Sequence, residues 1–233
     1  MKDFISLSPM KILEESTRKE LGPGNLGVFI ARAGVGKTAC LIHVALDKVF
    51  RDEGLIHVSL NETPEKVESY YTAMYNEIFK ALNMEDDHDY RDIVDKNRMT
   101  LAFLGKSFQI ERFMENLKNI TGNLSFTLKA LVIDGVDFEN AERALFKGFK
   151  EVAQEFQVEI WFSALSHRHI TTKNKRGIPY PCHELDDLFS IIVQLYPESS
   201  GILLKLLKDH DNPSIPDTSV TLDPKTFLVR QHK

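Results

Sequence analysis

The chain has 233 residues, of which 42% are hydrophobic and 27% are charged, and its net charge is −5 at pH 7. This length suits one large domain, residues 1–233, rather than two, and the composition is that of an ordinary globular protein. The negative balance argues against broad electrostatic adhesion to nucleic acid or anionic membranes, although it allows a local basic patch.

Cysteine usage and the N-terminus indicate the compartment. The only cysteines are Cys40 and Cys182, and the first ten residues contain no long apolar run of the kind found in signal peptides. No apolar stretch approaches the length of about 20 residues that a membrane-spanning helix needs. We therefore expect a cytoplasmic protein without a membrane partner.

Apolar periodicity and turn residues predict alternating helices and strands in the first half of the chain. Ser8 as the cap and Pro9 as the first helical residue predict a helix that Gly22 ends, so residues 1–23 are expected to form an N-terminal helix and linker. The predicted elements are a helix over 9–21, a strand over 26–30, a helix over 39–53, a strand over 55–60, a helix over 64–82, a half-helical stretch over 85–99, a strand over 100–104 and a helix over 109–120.

The second half continues the alternation and then changes. The predicted elements are a strand over 129–134, a helix over 138–156, a strand over 158–163 and, after a loop, strands over 188–196, 202–208 and 220–229. No segment of helix length separates the last two strands, so we expect them to extend the sheet in antiparallel fashion.

The stretch Ala33-Gly34-Val35-Gly36-Lys37-Thr38 lies between the first strand and its helix, as a phosphate-binding loop requires. The two glycines allow positive φ, so that successive N–H groups can converge on phosphate oxygens at the positive end of the helix dipole. Lys37 is expected to reach the β- and γ-phosphates, and the Thr38 hydroxyl is expected to bind Mg²⁺. The predicted nucleotide-binding residues are Ala33, Gly34, Val35, Gly36, Lys37, Thr38 and Ala39.

One position departs from the usual loop pattern. Ala31 stands where the first glycine of G-x-x-x-x-G-K-[ST] is expected, and alanine does not take positive φ cheaply. The alternative interpretation is a chance glycine-rich turn between a strand and a helix.

Asp134 is the second chemical landmark. It ends the apolar strand over 129–134, at the edge where an open α/β sheet binds ligands. A carboxylate there could hold Mg²⁺ beside Thr38. The alternative is an aspartate that caps a loop or a helix.

Two further stretches allow more than one interpretation. The aromatic residues of the helix over 64–82 favour core or subunit packing over a platform for base stacking; they are Tyr70, Tyr71, Tyr75 and Phe79. The stretch 166–177 carries four cations and no acid, which indicates either an anion-binding or nucleic-acid-binding loop or a mobile solvated loop. These cations are Arg168, Lys173, Lys175 and Arg176.

With these residues in place, the chain resembles the RecA superfamily of P-loop ATPases, particularly the KaiC-type ATPases and the DnaB-type helicase motor domain. The resemblance extends from about Gly24 to Val229. It is carried by the phosphate loop, by residues 57–65, and by residues 164–168 followed by the basic loop and residues 184–187. It implies an α/β, RecA-like P-loop NTPase fold with a mostly parallel central sheet flanked by helices and antiparallel C-terminal strands. It also implies ATP and Mg²⁺ as cofactors.

The same resemblance assigns roles to single residues. Glu62 would polarise the attacking water, with Lys37 as its catalytic partner, although Glu62 could instead be an acid that pairs with the helix dipole. The resemblance implies a homo-oligomer of ring or filament type, in which Lys208 would serve a neighbour's nucleotide. Ala164 replaces the glutamine of DnaB-type helicases, and His210 stands where an arginine is expected. An arginine acting across an interface raises the hydrolysis rate by orders of magnitude, so its loss indicates slow or partner-switched hydrolysis.

Three functions therefore remain open from the sequence. The first is a Mg²⁺-dependent, KaiC-like ATPase that works as a slow hydrolase or a nucleotide switch. The second is a nucleotide-sensing scaffold that binds ATP but hydrolyses it poorly. The third is a motor or recombination accessory protein associated with single-stranded DNA, with the basic loop as its nucleic-acid contact.

Overall fold

The computed structural model describes residues 2–16, 18–84, 88–103, 108–213, 215 and 217–230. Its centre is an eight-stranded sheet. The strands in chain order are β1 (Leu26–Ala31), β2 (Gly54–Ser59), β3 (Arg98–Ala102), β4 (Leu128–Asp134), β5 (Glu159–Leu165), β6 (Ile191–Glu198), β7 (Gly201–Asp209) and β8 (Ser219–Leu222).

The strands lie side by side in the order β3-β2-β4-β5-β1-β6-β7-β8. All neighbours from β3 to β6 pair in parallel, whereas β6 with β7 and β7 with β8 pair antiparallel. This arrangement confirms the expected α/β architecture, with a mostly parallel sheet and antiparallel C-terminal strands.

Helices cover both faces of the sheet. They are α1 (Lys2–Leu7), α2 (Lys37–Phe50), α3 (Pro64–Ala81), α4 (His88–Asn97), α5 (Ile110–Thr121) and α6 (Arg143–Phe156). Buried side chains of α2 and α3 belong to the apolar cluster on one face, and those of α5 and α6 belong to the cluster on the other. Among the described residues, no helix has both the length and the apolar character required to cross a bilayer.

The central strands read as continuous apolar runs because they are buried on both faces. Every residue of β1 and of β2 is buried. On β5, Trp161 faces the α2 side, where its ring stacks on Phe29, and Phe162 faces the α6 side, where it contacts Phe149. Alternate residues of one strand therefore anchor the two helical layers on opposite faces of the sheet.

The start of α3 follows the predicted capping chemistry. The Thr63 hydroxyl accepts a hydrogen bond of 3.3 Å from the Lys66 N–H, and Pro64 occupies the first helical turn. Tyr71, Tyr75 and Phe79 are buried, which confirms the packing interpretation for these three aromatic residues. Tyr70 is only partly buried and has a different environment, described below.

The structure corrects the N-terminal prediction. Residues 9–21 do not form one helix: α1 comes first, and a 3₁₀ helix, Pro9–Glu15, follows it. Ser8 caps that segment as expected, since its hydroxyl accepts a hydrogen bond from the Met10 N–H. Helical geometry stops at Ser16, whose extended backbone turns its N–H to the Leu13 carbonyl.

Three further boundaries were wrong, each because a turn intervenes. Helix α6 begins at Arg143 rather than at residue 138, because Asp137 accepts hydrogen bonds from the N–H groups of Glu139 and Asn140 and closes a turn there. Strand β6 begins at Ile191, after a turn over 185–188. The strand predicted over 220–229 is β8 plus a turn, with one isolated bridge between residues 222 and 229.

The charged stretch over 85–99 contains α4 and the start of β3, and residues 85–87 lie outside the described residues. Strand β3 begins two residues before the predicted strand over 100–104, and residue 104 also lies outside the described residues.

Candidate functional site

The carboxyl ends of β1, β2, β4 and β5 meet at one edge of the sheet, where parallel α/β sheets place their ligand sites. The loop after β1, the acid at the end of β4 and the turn after β2 are therefore brought together by the strand order. These segments are distant in sequence, and each carries one of the predicted functional groups.

The phosphate loop, residues 31–38, has the backbone that its glycines predict. Gly34 has φ 75° and Gly36 has φ 108°, both in regions that favour glycine. Helix α2 begins at Lys37, so its first-turn N–H groups have no partner within the helix and face the loop. The loop and the helix terminus thus form a concave set of donors suited to an anion.

Ala31 does not weaken this loop. It is the last residue of β1, where it pairs with Leu165 in regular strand geometry and is completely buried. Alanine adopts this conformation without cost, so the missing first glycine does not distort the loop.

Lys37 lies over the loop. Its Nζ donates a hydrogen bond of 3.2 Å to the Arg32 carbonyl, which spans the loop from end to start. Burial lowers the pKa of the Lys37 ammonium, and the nearby charge of Asp134 partly offsets this effect. The ammonium is thus held in a half-buried position where an anionic partner would stabilise its charge.

Thr38 and Asp134 meet directly, although 96 positions separate them in the sequence. The Thr38 hydroxyl donates a hydrogen bond of 2.7 Å to one Asp134 carboxylate oxygen. The other oxygen accepts a hydrogen bond from the Ser163 hydroxyl on β5, a partner that the sequence did not indicate. Both oxygens of Asp134 are therefore oriented by neighbouring elements.

This pair fits a magnesium ion by its chemistry. Mg²⁺ prefers hard oxygen ligands, keeps several waters and needs only one or two protein ligands beside phosphate oxygens. The Thr38 hydroxyl and the Asp134 carboxylate are such ligands, adjacent to the phosphate loop. Among the described residues, no group of three or more His, Cys, Asp or Glu side chains offers a separate metal site.

Glu62 lies in the turn after β2, next to this pair. The turn is held close to β4 because the Leu60 N–H donates to the Asp134 carbonyl, and its Asn61 side chain packs against Gly135. The Glu62 N–H donates to the Ser59 hydroxyl, and its carboxylate accepts a long contact of 3.5 Å from the Tyr70 hydroxyl. Glu62 thus approaches the loop from the β2 side.

A cavity of about 440 Å³ adjoins the phosphate loop and extends between α2 and α3. One wall consists of the loop and the start of α2, and the other consists of α3 residues spaced by three or four positions. The lining residues are Gly34, Gly36, Lys37, Thr38, Ala39, Ile42, Tyr70, Ala73, Met74, Glu77 and Lys225. Sequence reasoning assigned none of the last five to the nucleotide site, and the helical spacing of four of them was the available signal.

Phe227 is a further residue that sequence reasoning missed. A Cβ on Gly36 would lie 1.9 Å from the Phe227 Cζ, so the aromatic ring covers this glycine closely. Phe227 has φ 57°, an unusual conformation for an aromatic residue. The C-terminal segment, residues 223–230, thus packs directly on the phosphate loop.

Lys208 and His210 make contacts within their own chain. The Lys208 Nζ donates to the Asp186 carbonyl, and burial lowers the pKa of this ammonium. His210 lies between the Asp209 carboxylate, at 2.9 Å, and the Leu21 carbonyl, at 3.1 Å. The role of Lys208 towards a neighbouring subunit stays a prediction.

The basic loop divides into two parts. Lys175 and Arg176 line a cavity of about 740 Å³ together with Lys205 and Lys208 of β7, whereas Arg168 and Lys173 do not line it. Arg176 also pairs with Asp186, at 3.3 Å. The structure therefore brings half of the predicted loop cations together with the predicted trans-acting lysine, in a different cavity from the phosphate loop.

No protein-family model matches the sequence, and the search of curated proteins gives no match. Among solved structures, the ATPase domain of a DnaB-like helicase is similar to this chain, with a TM-score of 0.67 and 15% sequence identity. The similarity covers 97% of this chain and 91% of that one. At this identity the match shows the fold: the chain has the RecA-like fold of an ATPase domain, which confirms the resemblance at the level of the fold.

Proposed function

We propose that this RecA-like domain binds ATP with Mg²⁺ and hydrolyses it slowly, as a KaiC-like ATPase or nucleotide switch. The observation that carries the proposal is the contact between the Thr38 hydroxyl and Asp134 beneath a glycine loop with positive φ. Three separate strands contribute to this contact and its surroundings, and a nucleotide triphosphate complexed with Mg²⁺ is the ligand that uses all of their groups.

Each residue has a distinct role in this proposal. The loop amides and Lys37 bind the phosphates and stabilise the charge that develops during transfer. Thr38 and Asp134 would hold Mg²⁺, which supplies charge neutralisation at the phosphate oxygens when it is bound. Glu62 accepts the proton of the attacking water, and its contact with Tyr70 fixes the direction of its carboxylate.

A hydrolysis-poor scaffold is the second candidate, and one observation favours it. Lys208 and His210 occupy the region where the resemblance implies groups that act on a neighbour's nucleotide, and both are hydrogen-bonded within their own chain. Their release would cost these bonds, so a homo-oligomer of this chain would hydrolyse ATP slowly without a partner.

The candidate associated with single-stranded DNA has weaker support. Lys175 and Arg176 share a cavity with two β7 lysines, but Asp211 and Asp217 line the same cavity and reduce its positive charge. If this candidate is right, single-stranded DNA binds at low salt and stimulates phosphate release.

The test combines binding with turnover. We expect Lys37→Ala to weaken ATP binding by at least about tenfold, since it removes charged hydrogen bonds to phosphate. Glu62→Gln should retain ATP binding and abolish phosphate release. Light scattering with and without nucleotide reports the oligomeric state.

The outcomes separate the candidates. Unchanged ATP affinity in Lys37→Ala would refute nucleotide binding at this loop. ATP binding in the parent protein without any phosphate release that depends on Glu62 would favour the scaffold.

A further inference from the structure

We propose that Glu77 and Lys225 recognise the nucleobase of the bound nucleotide and select adenine over guanine. This inference rests on the proposed function, because it concerns the nucleoside end of the same site. Neither residue belongs to a sequence motif, and the two lie far apart along the chain.

The first argument is the continuity of the cavity. Glu77 and Lys225 line the cavity that contains Lys37 and Thr38, and they also line the adjoining cavity beside the C-terminal segment. They are the only residues that line both cavities, among those that the structure describes. They therefore mark the end of the nucleotide cavity that is farther from Asp134.

The second argument is distance along α3. Tyr70, whose hydroxyl contacts the proposed catalytic Glu62, lines the cavity at its phosphate end. Glu77 lies about two turns further along the same helix face, about 10 Å away at the usual rise per residue. An extended nucleoside triphosphate spans roughly this separation between its terminal phosphate and its base. Met74, one turn before Glu77, gives the intervening wall an apolar surface for the sugar and the base.

The third argument is that the backbone at Lys225 is fixed, although its side chain is exposed. The Asp223 carboxylate accepts hydrogen bonds from the N–H groups of Lys225 and Thr226, both at 3.0 Å. The Thr226 carbonyl lies 2.6 Å from a ring nitrogen of His43 on α2, and Phe227 packs on Gly36. The C-terminal segment is thus attached to the helix and the loop that bind the phosphates, so Lys225 keeps its place beside them.

The two side chains offer one acceptor and one donor. Adenine presents an amino donor next to a ring-nitrogen acceptor on one edge, which matches the Glu77 carboxylate and the Lys225 ammonium. Guanine presents two acceptors on the same edge, which would place an oxygen against the carboxylate of Glu77. A site built to hydrogen-bond a donor rejects analogues that lack it, because a polar group that the ligand covers is then left unpaired.

The experiment measures displacement of ATP that carries a fluorescent label on its ribose, so that both base edges stay free. Unlabelled ATP and GTP compete with it in the presence of Mg²⁺. We expect the parent to prefer ATP by at least about tenfold. Glu77→Gln should bring the ratio of the two affinities close to one, because glutamine can donate as well as accept. Lys225→Ala should weaken ATP binding by about tenfold.

Matched controls exclude general effects. Lys80→Ala removes a lysine that lines only the adjoining cavity, and Glu151→Gln changes an exposed acid on α6, on the other side of the sheet. Both should leave the ATP-to-GTP ratio unchanged. A merely structural effect of Glu77→Gln would weaken both nucleotides equally and would not move this ratio.

Equal ATP and GTP affinities in the parent, or an unchanged ratio in Glu77→Gln, would overturn the selectivity. An unaltered ATP affinity in Lys225→Ala would remove that residue from the site. If Lys37→Ala still abolishes binding in those cases, the proposed function stands and only this inference fails. If the parent binds neither nucleotide, the proposed function fails first.

Discussion

The contact between Gly36 and Phe227 gives the sharpest test of how the phosphate loop is built. Gly36→Ala combines two separate penalties. Its φ of 108° is unfavourable for alanine, which costs about 1–2 kcal/mol. Its new methyl group would lie 1.9 Å from Phe227 Cζ and 2.2 Å from Cε1, and relieving such overpacking costs about 1–3 kcal/mol more.

Two further variants separate these penalties. Gly34→Ala has the same kind of backbone strain, with φ 75°, but no atom lies within 4 Å of its added Cβ, so we expect a loss of about 1–2 kcal/mol only. Phe227→Ala alone should cost about 3–5 kcal/mol, as other buried phenylalanines do. The double variant of Gly36 and Phe227 should be less destabilised than the sum of the singles by about 1–3 kcal/mol, because its clash is absent.

The assay is urea unfolding followed by the fluorescence of Trp161, the only tryptophan, which is completely buried. ATP binding is measured in parallel, because a shifted loop should lose affinity even where the protein stays folded. Additive effects in the double variant, or equal losses for Gly34→Ala and Gly36→Ala, would refute the packing of Phe227 on the loop.

Three other expectations concern charge and burial. Asp134→Asn should reduce ATP affinity by about 10- to 100-fold with Mg²⁺ but much less in a chelator, as calorimetry can measure, and equal losses in both conditions would contradict a metal role. Burial lowers the pKa of His43 from 6.5 to about 4, so the unfolded chain takes up this proton first, and stability is complete at neutral pH and is lost as pH falls through that range. Lowering the pH from 7 to 5 should therefore cost about 2 kcal/mol from this residue, and His43→Phe should flatten the pH dependence of urea unfolding, whereas an unchanged slope would speak against it. Burial raises the pKa of the Cys40 and Cys182 thiols, so both should react with a thiol reagent only at the rate of unfolding, and rapid labelling of the native protein would contradict their burial.

Local chemistry was visible in the sequence wherever one segment sufficed to fix it. The glycines of the phosphate loop, the Thr63–Pro64 helix start and the apolar run that ends in Asp134 each act over a few neighbouring residues. They were therefore predicted with their geometry. The boundaries that were wrong, such as the start of α6, depend on side chains like Asp137 that compete with the helix by capping a turn.

Long-range placement was decided by the tertiary structure alone. The order of the strands puts β4 and β5 beside β1 and β2, and only this order joins Thr38, Asp134 and Ser163. Likewise, the sequence near residue 227 gives no sign that an aromatic ring covers Gly36, or that Lys225 shares a cavity with Lys37. The physical reason is that backbone conformation follows from local sterics and hydrogen bonding, whereas contacts between distant segments follow from how the whole apolar surface is buried.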